Sequence, residues 1–309
     1  MKKKSFISVG ECMVELQSAT DGLYRLGFAG DTLNTAWYLR ALTHSENVSV
    51  DYLTAIGTDQ LSLNMKTFLD SHKIGTKLIK QIPDRTVGLY LITLAGAERS
   101  FTYWRDRSAA KLLAEDEQAL RSALSVADCI YFSGITLAIL SSEHRANFLS
   151  VLSDMKSAGA MVVFDSNSRR RLWPSDSAMK EGMVEGYKVS TLALPTFDDE
   201  QLAFGDKLPI DCLNRIASYG VAEIVVKDGP RTCLAMVDNK IITIAPDMVT
   251  GVVDTTGAGD SFNAGYIAAR LSNRSPTEAI AIAHQVAGRV ICKRGALLDM
   301  ASFNDLVLK

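Results

Sequence analysis

The sequence has no cysteines spaced as Cys-x-x-Cys. Its five cysteines, Cys12, Cys129, Cys212, Cys233 and Cys292, are odd in number and widely scattered. That pattern argues against a zinc knuckle or a disulfide frame and implies reduced thiols in a cytoplasmic protein. No apolar run approaches the ~20 residues of a membrane span. Gly10, Glu11 and Glu15 interrupt the first apolar stretch too early for a signal-peptide core. An excess of one charge sign is also missing: Lys and Arg number 33, Asp and Glu 35, for a net charge of −2. The chain therefore lacks the basic footprint of a nucleic-acid binder. Lys2, Lys3 and Lys4 read as a solvated end. Two nucleotide signatures are missing as well. No Gly-x-x-x-x-Gly-Lys-[Ser/Thr] loop is present. The one glycine-rich segment has Phe262 where a dinucleotide fingerprint needs its third glycine, and it lies late in the chain.

What is present is an alternation of elements. The chain has 309 residues, 47% hydrophobic and 22% charged, enough for a substantial core. Short apolar runs at Phe6–Val9, Val50–Ala55, Cys129–Phe132, Met161–Phe164, Thr191–Leu194 and Ile224–Lys227 predict strands. Helical patterns lie at Gln60–His72, Ser142–Ser157, Ser175–Gly186 and, in two pieces, Asp198–Tyr219. Such repetition predicts an α/β fold with a mainly parallel central sheet flanked by helices. The strands end in Ser133-Gly134, Asp165-Ser166-Asn167 and Lys227-Asp228-Gly229, and open parallel sheets bind ligands at those ends. Val87–Leu94 and Arg99–Trp104, joined by Ala95-Gly96-Ala97-Glu98, predict a hairpin that interrupts this pattern and serves as a lid, a dimer surface or a plain edge. A second hairpin is predicted at Thr232–Val237 and Lys240–Ile244 around Asp238-Asn239. Ser275-Pro276-Thr277-Glu278 predicts a capped helix start. No repeat, low-complexity tract or linker divides the chain.

The most informative stretch runs from Asp254 through Thr255-Thr256-Gly257-Ala258-Gly259-Asp260 to Gly265. Small residues let a backbone turn sharply and approach a ligand closely. A small-residue helix is predicted from about Asp260 to Arg270. The amides of Gly257, Ala258, Gly259 and Asp260 then form an anion site at its N-terminus. Asp260 adds a carboxylate that can take a proton from an attacking hydroxyl while the amides stabilise a transferring phosphoryl group. On spacing alone, a glycine turn capped by Asp260 explains the same residues equally well.

The segment resembles the C-terminal signature of the ribokinase (PfkB) family of carbohydrate kinases, Asp-Thr-x-Gly-Ala-Gly-Asp. The resemblance implies a ribokinase-like fold over residues 1–309 as one sugar-kinase domain, with a small β lid from about 12–33 and 85–107. It implies ATP and Mg2+ as cofactors and leaves room for a monovalent cation. It makes Asp260 the catalytic base and Gly257, Ala258 and Gly259 the anion hole, with Asp254 also at the substrate. Gly27-Phe28-Ala29-Gly30-Asp31-Thr32-Leu33-Asn34 is similar to the family's Gly-Gly-Asp-x-x-Asn sugar site, with Ala29 in place of the first glycine. It implies that Gly30, Asp31 and Asn34 hold sugar hydroxyls; a turn before a helix is the plain alternative. Lys227-Asp228-Gly229-Pro230-Arg231-Thr232 resembles the nucleotide loop. Glu200 falls where the family has a Glu that orders magnesium-bound water, although Phe197 replaces the Asn of that motif.

Further segments are similar to the 2-keto-3-deoxygluconate kinases within the family. They are Gly10-Glu11-Cys12-Met13, Gly88-Leu89-Tyr90, Glu98 through Arg105, Ser133 through Leu140 and Asp165 through Trp173. By this resemblance Tyr90, Tyr103, Arg105, Ile135 and Arg169 contact a small-molecule sugar acid, and Asn167 and Arg169 lie near the nucleotide. Tyr103 and Arg105 share strand parity, and a guanidinium beside phenols suits a carboxylate. Arg170 reads as solvated surface. The implied reaction is ATP-dependent phosphorylation of 2-keto-3-deoxygluconate at O6. Alternatives are a fructokinase or ribokinase on a neutral sugar, a sugar-binding regulator with this fold, and a nicotinamide dehydrogenase. A homo-oligomer through the lid is compatible with its aromatics.

Overall fold

Alternate residues of the central strands feed two different cores. Phe6, Cys129, Tyr131, Val163 and Val225 enter one; Ile7, Val9, Ile130, Phe132, Val162, Phe164, Ile224 and Val226 enter the other. A strand buried on both faces reads as an unbroken apolar run, which is why these segments stand out in the sequence. The structure is a computed structural model that describes residues 3–19, 22–95 and 98–308. Gly96 and Ala97, at the expected hairpin tip, and Lys2 lie outside the described residues.

In chain order the strands are β1 (Lys4–Val9), β2 (Met13–Ser18), β3 (Tyr24–Ala29), β4 (Val48–Ile56), β5 (Ile79–Gln81), β6 (Leu89–Ala95), β7 (Glu98–Trp104), β8 (Cys129–Ser133), β9 (Met161–Asp165), β10 (Leu192–Ala193), β11 (Glu223–Val226), β12 (Cys233–Val237) and β13 (Lys240–Ile244). The helices are α1 (Asp31–Leu42), α2 (Gln60–Ser71), α3 (Glu117–Leu124), α4 (Gly134–Ile139), α5 (Ser142–Ser157), α6 (Asp176–Lys188), α7 (Phe197–Phe204), α8 (Pro209–Ser218), α9 (Ala258–Leu271) and α10 (Pro276–Ile291).

A 9-stranded sheet runs β13-β12-β11-β10-β9-β8-β1-β4-β5. Its strands are parallel from β11 to β5, and only β12 and β13 are antiparallel. Helices α1, α9 and α10 cover one face through Leu33, Tyr266 and Ile280; α3, α5, α6 and α8 cover the other through Leu120, Phe148, Met183 and Leu213. Burial of this kind stabilises by roughly 25 cal/mol per Å² of apolar surface. Among the described residues no helix is long and apolar enough to cross a membrane.

The second sheet, β3-β2-β6-β7, has 4 strands. It is drawn from the two segments expected to form the lid, so the hairpin is part of a larger sheet. The β6–β7 register sets Tyr90 opposite Tyr103. Several expected elements shift at their ends. The strand expected at Thr191–Leu194 is β10 alone, although Thr191 and Leu194 continue its amide bonds to Val162 and Phe164. Helix α6 runs on to Lys188, two residues past the expected end. Asp238 and Asn239 take φ of 51° and 60°, the left-handed pair that a two-residue hairpin turn requires. Ser275 caps α10 with the expected reciprocal bonds to Glu278.

Candidate active site

A cleft of about 760 Å³ lies between the carboxyl ends of the parallel strands and one face of the small sheet. Its floor is the start of α9. Gly257 sits just before that helix with φ of 77°, a left-handed conformation that favours glycine, and a Cβ there would stand 2.9 Å from the Ala296 carbonyl oxygen. The turn ends in a first helical turn whose amides have no earlier carbonyl to bond. Ala258 is an exception: its N–H bonds the Thr255 carbonyl oxygen at 3.2 Å. The anion donors expected at this turn are therefore Gly257, Gly259 and Asp260 rather than the full row. Asp254 accepts from the Thr256 amide at 3.0 Å and from the Gly295 amide at 2.8 Å, and so pins the turn from behind.

Asp260 is half-buried, and its Oδ2 accepts from Asn34 Nδ2 at 2.7 Å. Burial, then repulsion from Asp31, pushes its carboxyl up to about 7; Asn34 and Lys227 pull the other way. A carboxylate tuned near neutrality is suited to general-base work. Asn34 is carried by α1, which starts directly after Gly30. A Cβ on Gly30 would come within 2.3 Å of the Glu11 carbonyl oxygen, so only glycine permits this entry. Asp31 accepts from Asn167 Nδ2 at 2.8 Å, and burial raises its carboxyl too.

The opposite wall comes from the small sheet. Tyr90, Phe101 and Tyr103 face the cleft, and the Tyr90 and Tyr103 rings are 5.8 Å apart. The Tyr90 hydroxyl donates to Glu15. Arg105 lies just past β7 and pairs with Glu11. Arg169 approaches Asp199 at 3.9 Å, and Arg171 rests over the Tyr103 ring at 4.5 Å. Ile135, Asn167, Asp198 and Asp199 also line the cleft.

The sequence model of the pfkB family carbohydrate kinases matches residues 3–302. The chain belongs to this family. It is 38% identical to a 2-dehydro-3-deoxygluconokinase from Dickeya dadantii, covering 97% of this chain and 98% of that one. A 2-dehydro-3-deoxygluconokinase from Haemophilus influenzae is 37% identical over 99% of this chain and 98% of its own. The crystal structure of a PfkB protein from Polaromonas sp. JS666 superposes with a TM-score of 0.83 at 22% identity, covering 98% of this chain and 99% of that one. The chain is thus an ATP-dependent carbohydrate kinase with the ribokinase-like fold.

The cleft gathers Gly30, Asp31, Asn34, Tyr90, Tyr103, Arg105, Ile135, Asn167, Arg169, Gly257, Ala258, Gly259 and Asp260. It does not take in Lys227 to Thr232. The Lys227 ammonium is buried beneath the turn, bonded to Asp165 at 3.1 Å and to Asn263 at 2.9 Å. Asp228 instead pairs with Arg231. Glu200 is also outside the lining. It is fully buried, accepting from the Tyr187 hydroxyl and from Arg215, both at 2.7 Å. Its neighbours Asp198 and Asp199 reach the cleft instead. Sequence reading gave no site role to Arg171 or Glu11. Arg171 sits in a run of arginines that resembles solvated surface, and only the stack on Tyr103 separates it from Arg170, which is exposed and paired with Asp176. Glu11 carried a usable signal, since it lies two residues past the end of the first strand, at the ligand-binding edge.

Proposed function

We propose that the protein phosphorylates 2-keto-3-deoxygluconate at O6 with ATP, and that Asp260 is the general base. The observation that carries the reading is Asp260, raised to about 7 and held by Asn34, beside the unpaired amides of Gly259 and its own. Asp260 takes the proton of the terminal hydroxyl as that oxygen attacks the γ-phosphate in line. The amides receive the charge on the transferring group. The sugar acid lies against Gly30, Asn34, Tyr90 and Tyr103, with the arginines of the rim supplying positive charge for its carboxylate. Relatives at 38% identity that carry this activity support the choice of substrate. A neutral sugar would leave that rim without a counter-ion.

Asp198 and Asp199 line the cleft, and hard carboxylate oxygens suit a magnesium ion. They would hold it, and it would supply charge neutralisation for the phosphate oxygens. In this reading the small sheet closes as a lid over the sugar and excludes water. Its outer face exposes Tyr24 at 54%, Leu26 at 47% and Trp104 at 56%, and in this reading those side chains meet a second copy of the chain.

The test is a panel of 2-keto-3-deoxygluconate, its galactonate-derived isomer, fructose and ribose, each with ATP and magnesium. The acid is expected to be turned over best. Asp260→Asn is expected to lower kcat by at least ~100-fold with an unchanged melting temperature. Preferred turnover of fructose would reject the substrate, and full activity in the variant would reject the base.

A further inference from the structure

Glu11 is a carboxylate that the reaction described above does not use. It follows Gly10 at the carboxyl end of β1 and lines the cleft, yet its side chain is only 1% exposed. Its Oε2 pairs with the Arg105 guanidinium, while Oε1 is buried without a hydrogen-bond partner. A buried acceptor left unmade costs ~1–3 kcal/mol, and more when charged. Native proteins leave few such atoms, and each asks for a ligand or a water. An ionised carboxylate only accepts, so the missing partner is a donor. A sugar acid offers hydroxyl donors, whereas its own carboxylate would be repelled from this oxygen.

We propose that Glu11 is a substrate-binding residue. Its Oε2 fixes Arg105, and its Oε1 accepts a hydrogen bond from a sugar-acid hydroxyl other than the one phosphorylated. This rests on the sugar-acid reading above. The pairing also redistributes the positive charge of the rim. Glu11 balances Arg105, so Arg169 and Arg171 are the cations left for the substrate carboxylate. Arg169 meets Asp199 only at 3.9 Å, and Arg171 has no carboxylate partner among the described residues.

The experiment compares wild type, Glu11→Gln and Glu11→Asp by steady-state kinetics. In Glu11→Gln the amide oxygen stays on Arg105 and the amide nitrogen puts a donor where Oε1 accepted. A hydrogen bond to a charged group is worth about 1.5–3 kcal/mol, so KM for the sugar acid is expected to rise ~10-fold or more while KM for ATP stays within ~2-fold. Glu11→Asp keeps the charge but withdraws the acceptor, and its sugar KM is also expected to rise. It decides the matter should the Gln variant melt early. The 4-deoxy and 5-deoxy acids supply the second readout. Wild type is expected to lose ~10-fold in kcat/KM on one of them, and Glu11→Gln no more than ~2-fold on the same one. A sugar KM that is unchanged, a rise shared equally with ATP, or undiminished discrimination of the deoxy acids would overturn the proposal. Failure of wild type on the parent acid is a separate result. It rejects the substrate assignment, and the Glu11 variants are then judged in the same way on the sugar that wild type does use.

Discussion

Asp260 answers to three charged neighbours at once: Asp31 and Asp165 raise its carboxyl, and Lys227 lowers it. The free-enzyme pKa appears in the pH profile of kcat/KM. Activity should therefore fall as pH drops through about 7, because protonation removes the base. Asp31→Asn deletes the largest repulsive charge, so the Asp260 carboxyl should titrate lower and the acid limb should move to lower pH. Whatever the substitution does to KM, the direction of that shift is fixed; a limb that moves up, or stays, would separate Asp31 from Asp260. At this scale the sequence was legible in placement: Asp260 and Asn34, drawn from motifs far apart in the chain, meet in the cleft through a 2.7 Å hydrogen bond. It was illegible where a side chain chooses among partners. Lys227 ends a strand in the segment that resembles the nucleotide loop, and its ammonium is buried beside Asp165 and the Asn263 amide oxygen, where its desolvation is offset. Glu200 is closed off by Tyr187 and Arg215 in the same way, and no spacing rule reveals partners that distant in the chain.

The parallel strands were readable because each is buried on both faces and needs a continuous apolar run. Strands β2 and β3 were not singled out. Their residues are partly exposed, and Gly27 interrupts β3, so the alternation is weak there. The start of α9 was legible to within two residues because glycine has few reasons to recur so closely. That element also carries a sharp expectation. Gly257→Ala must hold a left-handed backbone, which costs about 1–2 kcal/mol, and must push its Cβ against the Ala296 carbonyl. The melting temperature should fall, and kcat should fall more than KM for the sugar, because the displaced amides act on the transferring phosphoryl group. Calorimetry with steady-state kinetics checks both. A stable variant with normal kcat would mean that the turn is not the anion site.

For the whole molecule, the small sheet has two unlike faces. Tyr90, Ile92, Phe101 and Tyr103 share the face toward the cleft. Cross-strand register puts Tyr24, Leu26, Leu16, Leu91, Leu89 and Trp104 together on the other. Its two middle strands pack into the main core through Leu16 and Leu89. On its two edge strands Tyr24 and Leu26 of β3 and Trp104 of β7 lie open, and exposed large apolar side chains on sheet edges offer an association surface. A second copy would bury it and brace the sheet that carries Tyr90 and Tyr103. The lid and the dimer contact would then be two sides of one element. The expected outcome is a dimer of wild type by sedimentation at micromolar concentration. Leu26→Lys, which charges that patch without touching the cleft face, should shift the protein to monomer and raise KM for the sugar acid while leaving KM for ATP unchanged. A monomeric wild type would end the dimer reading. A monomeric Leu26→Lys with unaltered sugar KM would show that association does not brace the lid.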